Sequence, residues 1–338
     1  MLKIDSTYGS DQNGLVWGYR FMPCQPGESI TAEAATEFLT LPDSADSKGF
    51  VWLHFSLSNS ASELWLQRNL NLPEPFYDTL HDEVGSTRLE QDADSLIAVI
   101  YDVLFDFAFD ASAAATASLF IQPRLLVSVR LRPLRSIDRL RAAVRTGRVF
   151  RSTIELLAHL LHEQADVLVD ILRQSTLRVD RIEDKLMANR ITISRIELGS
   201  LRRVLIRLQR LLAPEPAALF RLLNRPPEWI SEADLQDLQQ AAEEFSAAVG
   251  DAAALIERVK LLQEELTAQV NEQTNRTLFV LTVVTVLALP INLVAGLFGM
   301  NVGGIPLTDN HYGFFAIVGI LSILTLLSAY LAFGKQRN

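Results

Sequence analysis

From Thr277 to Thr308 the chain carries no Asp, Glu, Lys or Arg, and within that stretch Leu278 to Phe298 is almost wholly apolar. A second run, Phe314 to Phe333, is equally free of those charges. A helix needs about 20 apolar residues, at about 1.5 Å of rise each, to cross a hydrocarbon core of about 30 Å. Both runs reach that length, and core helices of soluble proteins seldom stay uncharged for so long. The two runs predict a membrane hairpin late in a chain of 338 residues.

Basic residues orient the hairpin. Arg276 precedes the first span, Lys335 and Arg337 follow the second, and the loop from Gly299 to Gly313 has neither Lys nor Arg. The positive-inside bias places both termini in the cytoplasm and the short loop outside. Met1 to Asp11 has no basic-then-apolar leader pattern, which agrees with a cytoplasmic N-terminal part in a bacterial inner-membrane protein.

The formal net charge of −9 hides four different segments. Residues 1–122 carry 5 basic and 18 acidic side chains, and residues 123–225 carry 21 basic, nearly all Arg, and 10 acidic. Residues 226–276 carry 3 basic and 11 acidic, and the remainder is almost uncharged. A single cysteine, Cys24, excludes an internal disulfide or a CxxC zinc site. No glycine-rich phosphate loop follows any strand candidate, and no nucleophile–base pair can be assigned, so the chain reads as a non-enzyme without a resident cofactor. Nucleic-acid binding by the basic segment is disfavoured, because its arginines interleave with leucines at helical spacing and no aromatic platform accompanies them.

The organisation follows from periodicity. Residues 1–149 read as a cytoplasmic α/β domain, with strands predicted at Leu15–Phe21, Phe50–Leu57, Ser95–Phe107, Ala117–Ile121 and Leu125–Leu131. Helices are predicted at Thr31–Thr40, Ala61–Leu70 and Pro75–Asp82, with Ser58 and Ser60 as capping candidates for the second. Residues 150–230 read as paired Arg-rich helices, broken at 188–190 and again near Pro214 and Pro216. A stalk helix starts at Ser231, with Asp234 three residues on, and occupies 231–276. It continues without a stop into the first span, 277–298. An outer loop, 299–313, the second span, 314–334, and a tail, 335–338, complete the chain.

Apolar stalk positions such as Leu238, Phe245, Ala252 and Val259 need partners, and two spans cannot enclose a pore. Thr282, Thr285 and Asn292 in the first span would face lipid in a monomer. Symmetric self-assembly, with the first span innermost, answers both needs.

The first span ends in Gly296-Leu297-Phe298-Gly299-Met300-Asn301-Val302-Gly303-Gly304-Ile305-Pro306. Here the chain resembles the CorA family of divalent metal transporters, whose Gly-Met-Asn signature closes the first of two C-terminal spans. The resemblance covers the α/β domain, the paired helices, the stalk and the hairpin. It implies a homopentameric funnel in the lipid bilayer, with first spans lining the pore and second spans outside them. Magnesium-transporting members carry Tyr before the signature and an acidic residue soon after it. Phe298 and the Gly-Gly-Ile-Pro continuation are instead similar to the zinc-transporting branch, which implies Zn²⁺ as cargo, with Cd²⁺ and Ni²⁺ as further candidates and protons as a candidate coupling ion. A Mg²⁺/Co²⁺/Ni²⁺ channel gated by cytosolic metal is the alternative in the same class. A membrane-anchored sensor or scaffold is the alternative from another class.

On this resemblance Gly299, Met300 and Asn301 form the pore mouth, where a ring of Asn301 carbonyl oxygens would face a cation still carrying its water. Counting back by helical turns puts Asn292, Leu289, Thr285, Thr282, Leu281, Leu278 and Asn275 on one face, with Gly296 on the same lining. That face alternates polar rings with apolar constrictions. Asn292 and the threonines could alternatively serve as hydrogen bonds between helices. Asp309 and His311, the ionisable residues of the outer loop, suit first capture of a divalent cation or plain loop solvation. His159, Glu163 and Asp166 share a helix near His162 and Asp170, as a regulatory metal site or a solvated face. The stalk acids Asp237, Glu243, Glu244, Asp251, Glu257, Glu264 and Glu265 are expected to concentrate cations, to pair with the Arg-rich helices, or both.

Overall fold

The structure is a computed structural model and describes residues 9–41, 49–81, 88–92, 94–104, 114–187, 191–300, 306 and 311–334. The chain divides into two compact units, Met1–Leu262 and Gln263–Asn338. In chain order the first unit holds β1 (Leu15–Phe21), β2 (Glu28–Ser29), α1 (Ala32–Thr40), β3 (Phe50–Ser56), α2 (Ala61–Asn69) and α3 (Glu74–His81). These are followed by β4 (Arg88–Asp92), β5 (Ser95–Val103), β6 (Ala114–Gln122), β7 (Leu125–Arg130), α4 (Arg135–Arg145), α5 (Thr153–Met187), α6 (Ile191–Leu212) and α7 (Pro214–Asn224). Then α8 (Glu232–Phe298) runs from the first unit into the second, which also contains α9 (Gly313–Gly334).

The seven strands form one sheet in the order β2-β1-β3-β7-β6-β5-β4. Among the described strands, only β3 and β7 pair in parallel, with Val51 opposite Leu125 and Ser56 opposite Arg130. The other pairings are antiparallel. Strand alternation sorts the core into two layers. Trp17, Tyr19, Phe21, Trp52, Leu96 and Leu119 join a cluster with residues of α4, α5, α7 and α8. Leu15, Val51, Leu53, Phe55, Phe120 and Val127 join the opposite cluster with residues of α1, α2 and α3. A sheet buried on both faces explains why β3 and β7 read as continuous apolar runs with few polar breaks.

Local chemistry sets the helix ends. Thr31 caps α1, its Oγ1 accepting from Ala34 N at 3.3 Å. The expected caps of α2 are corrected: Ser60 makes no side-chain cap, Ser58 Oγ donates to Leu131 O, and Asn59 Oδ1 accepts from Ala61 N at 3.0 Å. The predicted restart near Pro214 is seen as the start of α7. At α8, Asp234 N donates to Ser231 Oγ at 3.2 Å while Ser231 Oγ donates to Asp234 Oδ2 at 2.7 Å.

α8 lies parallel to α5, as pairs between His162 and Glu244 and between Asp180 and Arg258 establish. This packing corrects the expectation that the stalk's apolar stripe requires a second copy. Leu238, Phe245, Ala252 and Val259 are already buried within the chain. The 3.6-residue period specifies a buried face and says nothing about which helix covers it.

Candidate ion path

Among the described residues, α8 is the helix long and apolar enough to cross a membrane, and its most apolar stretch has no buried residue. A shorter apolar stretch, Gly313–Leu327, lies in α9. Asn275 to Gly299 spans about 36 Å at 1.5 Å per residue, enough for a hydrocarbon core. Helical hydrogen bonding continues to Gly299, whose N–H donates to Ala295 O at 2.9 Å. Pro290 sits inside the helix without ending it.

The predicted pore face is open in the single chain: Leu278 is 54%, Leu281 61% and Leu289 69% exposed. Val280 and Val284 on other faces are exposed to a similar degree, whereas Phe279, Val283, Leu287, Pro290 and Val294 form a half-buried row on the side away from the predicted face. Asn275, Asn292 and Met300 are likewise exposed. A Cβ added at Gly296 would meet nothing within 4 Å, so packing inside the subunit does not require glycine there. At Gly299 an added Cβ would lie 3.0 Å from Ala295 O, a close approach at the end of the helix.

Thr282 and Thr285 need no neighbouring helix to satisfy their donors. Thr282 Oγ1 donates to Leu278 O at 2.8 Å, and Thr285 Oγ1 donates to Leu281 O at 2.9 Å. The cost expected for these hydroxyls in lipid is therefore met by their own helix. Their oxygen lone pairs remain able to accept from water or to face a cation. His311 borders a groove of about 470 Å³ within the second unit, lined also by Phe298, Pro306, Phe314 and Leu321. Asn301 and Asp309 lie outside the described residues.

The charges of the stalk are arranged differently from the simplest expectation. Glu243, Asp251, Glu257, Glu264 and Glu265 are all exposed, on the helix face away from the buried stripe. Glu244 does pair with α5, through His162 Nδ1 at 2.6 Å. The hydrogen bond from Gln240, more than the His162 contact, holds the Glu244 carboxyl below its ordinary range. A second pairing between the two helices runs in the opposite sense: Arg258 of α8 binds Asp180 at 2.8 Å and Glu183 at 2.7 Å on α5.

Among the described residues no group of three or more His, Cys, Asp and Glu is placed to hold a metal ion. His159 and Glu163 instead belong to a polar network with Arg148 and Arg139 that Asp166 does not complete. His159 Nε2 lies 3.5 Å from Glu163 Oε1 and 3.5 Å from Arg148 Nη1. Burial first, then the charges of Arg148 and His162, push the His159 imidazole down to about 4, so it is neutral at pH 7. Burial raises the Glu163 carboxyl, and Arg139 works against that rise from 3.9 Å while also binding Asp170 at 2.8 Å.

A family model described as "CorA-like Mg2+ transporter protein" matches residues 47–334. The chain belongs to the CorA-like transporter family. It is 26% identical over 306 residues to the divalent cation transporter CmaX of Pseudomonas aeruginosa, covering 90% of this chain and 91% of that one. It is 26% identical over 282 residues to the zinc transport protein ZntB of Pectobacterium carotovorum, covering 83% and 86%. The structure of full-length CmaX superposes with a TM-score of 0.79 at 24% identity, covering 96% of this chain and 99% of that one, which establishes the same fold. A CorA-type fold carries the α/β sheet, the paired helices and the long α8 in one chain.

Sequence reasoning did not single out two buried carboxylates of the first unit, Asp102 and Glu215. Asp102 occupies the sort of position an alternating strand gives to an apolar residue, and Glu215 lies between two prolines that mark only a helix start.

Proposed function

We propose that this chain is the subunit of a CorA-type divalent cation transporter that carries Zn²⁺, with Cd²⁺ and Ni²⁺ as secondary cargo, through a homopentameric pore lined by α8. The observation that carries this reading is the run Phe298-Gly299-Met300-Asn301 followed by Gly303-Gly304-Ile305-Pro306 at the end of an uncharged span. Similarity to a zinc transport protein along most of the chain supports it. The exposed α8 span supports assembly, because a helix with Asn292 and an unforced Gly296 gains from a neighbour that approaches closely. A ring of Asn301 oxygens then meets the hydrated ion at the mouth. Asn292 and the lone pairs of Thr282 and Thr285 alternate with Leu289, Leu281 and Leu278 along the path. Asp309 and His311 offer carboxylate and imidazole, both suited to Zn²⁺, for first capture on the outer side. Both termini lie in the cytoplasm of a bacterial inner membrane, and the inward-facing stalk acids raise the local cation concentration.

The family description favours one second reading, a Mg²⁺ channel of the CorA type. Ion flux into proteoliposomes separates the two. Zn²⁺ flux that Cd²⁺ and Ni²⁺ reduce, and that excess Mg²⁺ leaves unchanged, is the expected outcome. Flux of Mg²⁺ with no Zn²⁺ signal replaces it with the second reading.

A further inference from the structure

Three elements of the first unit meet at a buried acidic cluster that the transport path does not use. Glu215 in the first turn of α7 and Asp102 of β5 are each 2% exposed, and so is Gln164 of α5. Gln164 Nε2 donates to Glu215 Oε2 at 3.2 Å and also to Tyr101 O. The remaining oxygens, Glu215 Oε1 and Gln164 Oε1, are buried without a hydrogen-bonding partner. Asp102 is better served: Ser136 N and Val103 N each donate at 2.7 Å, and Ser136 Oγ donates at 2.9 Å.

The local sequence explains why Glu215 lacks donors. A helix start offers free N–H groups to a carboxylate. Here Pro214 and Pro216 flank Glu215, and neither has an N–H. Two voids of about 10 Å³ border the cluster, each with room for one water. One lies between Glu215, Arg88 of β4 and Leu157 of α5. The other lies between Asp102, Gln164 and Leu212 of α6.

An ionised, half-solvated carboxylate is costly in such a place, and a neutral one is not. Burial drives the Glu215 carboxyl well above its ordinary range, and the neighbouring Asp102 acts in the same direction against the Gln164 hydrogen bond. Burial also pushes Asp102 up to about 6, against the Ser136 and Val103 donors and Arg135 of α4. Among the described residues, Arg88 of β4 borders the same void as Glu215, and Arg135 of α4 acts on Asp102.

We propose that α7 is a proton-dependent latch, docked on β4 and β5 while the Glu215–Gln164–Asp102 cluster keeps a proton and released as that proton is lost. The apolar part of the dock is modest, consisting of Pro216, Ala218, Leu219 and Leu222. The acid therefore has leverage on it. The sign follows from linkage: undocking exposes Glu215 to water, where it ionises at its ordinary value, so the docked state binds more protons than the open one. Docking weakens as pH rises above the ordinary carboxylate range and levels off above the value Glu215 has when docked. Because α7 joins α6 to the start of α8, its release loosens both within the first unit.

Hydrogen exchange of the full chain in detergent, followed by mass spectrometry from pH 6 to 8 and corrected for intrinsic exchange rates, tests this. The opening constant of α7 peptides is expected to rise by up to about tenfold per pH unit in the native protein. Glu215→Gln, which keeps the shape and removes the proton, is expected to abolish that slope while β5 and β6 peptides keep their protection. A slope of the same size in Glu215→Gln, or a flat profile in the native protein, overturns the proposal. Asp102→Asn supplies a second check, since it removes the like-charge neighbour and is expected to move the Glu215 slope to lower pH. No movement also overturns it.

Discussion

Arg151 Nε donates to Asp234 Oδ1 at 3.0 Å, joining the segment that leads into α5 to the first turn of α8. Asp234 is buried and also accepts from Ser152 Oγ and Ser231 Oγ, each at 2.7 Å, while Arg151 reaches on to Asp237. One carboxylate thus fixes where two parallel helices begin. Asp234→Ala leaves those donors without their acceptor and is expected to cost about 2–4 kcal/mol in chemical unfolding of the purified chain. Arg151→Ala, which removes a half-exposed partner, is expected to cost less. Equal and additive losses in the double variant would mean that the two residues are not coupled.

His159 gives a pH dependence with a definite sign. Its imidazole is held neutral in the fold, with a value of about 4, and takes up a proton at its ordinary value when unfolded. The unfolded chain therefore binds more protons between about 4 and 6.5, and the His159 contribution to stability is lost as pH falls through that window. Denaturation midpoints at pH 7.5 and pH 5 are expected to differ by more in the native chain than in His159→Gln. An identical difference in both would place the titration elsewhere.

Gly296 tests whether α8 is closely approached by another helix. Nothing in the subunit lies near its missing Cβ, so Gly296→Leu leaves the circular dichroism spectrum of the purified chain unchanged. The same variant is expected to reduce assembly, measured by native mass spectrometry, and to lower flux by at least about tenfold, given how small residues set close helix packing. Normal assembly with normal flux would remove Gly296 from the interface and the lining.

At the mouth, Asn301→Ala is expected to abolish cation flux while leaving the oligomer intact, because it removes the neutral oxygen and little bulk. Asn301→Asp keeps an oxygen and adds charge, so it is expected to retain flux with altered competition between Zn²⁺ and Mg²⁺. Wild-type flux from Asn301→Ala would move the mouth away from the Gly-Met-Asn run.

Much of the fold was legible because it rests on period and composition. β1 was read at its observed bounds, Leu15–Phe21, since aromatic and β-branched residues fill it. The paired helices and the long α8 followed from apolar spacing, and Pro214 marked the break before α7. Three elements were missed, the two-residue β2 among them. In α4, Arg135, Arg139, Arg141 and Arg145 mask the buried Ile137, Leu140 and Val144. In β4 the sequence Arg-Leu-Glu-Gln-Asp carries no alternating pattern, and its place at the sheet edge tolerates that. Which helix covers the stalk stripe was also not legible, because amphipathicity identifies a face without its partner. The site is a similar case. Helical counting places Leu278, Thr285 and Asn292 in one row, and that row is exposed while Phe279, Val283, Leu287 and Val294 are half-buried, but exposure in a single chain does not say what the open row faces.

The most direct measurement is uptake by proteoliposomes under two opposed pH gradients, with Zn²⁺, Mg²⁺, Cd²⁺ and Ni²⁺ in competition. A Zn²⁺ signal that Cd²⁺ and Ni²⁺ reduce and Mg²⁺ does not is the predicted result. Absence of a Zn²⁺-dependent signal under either gradient would contradict it.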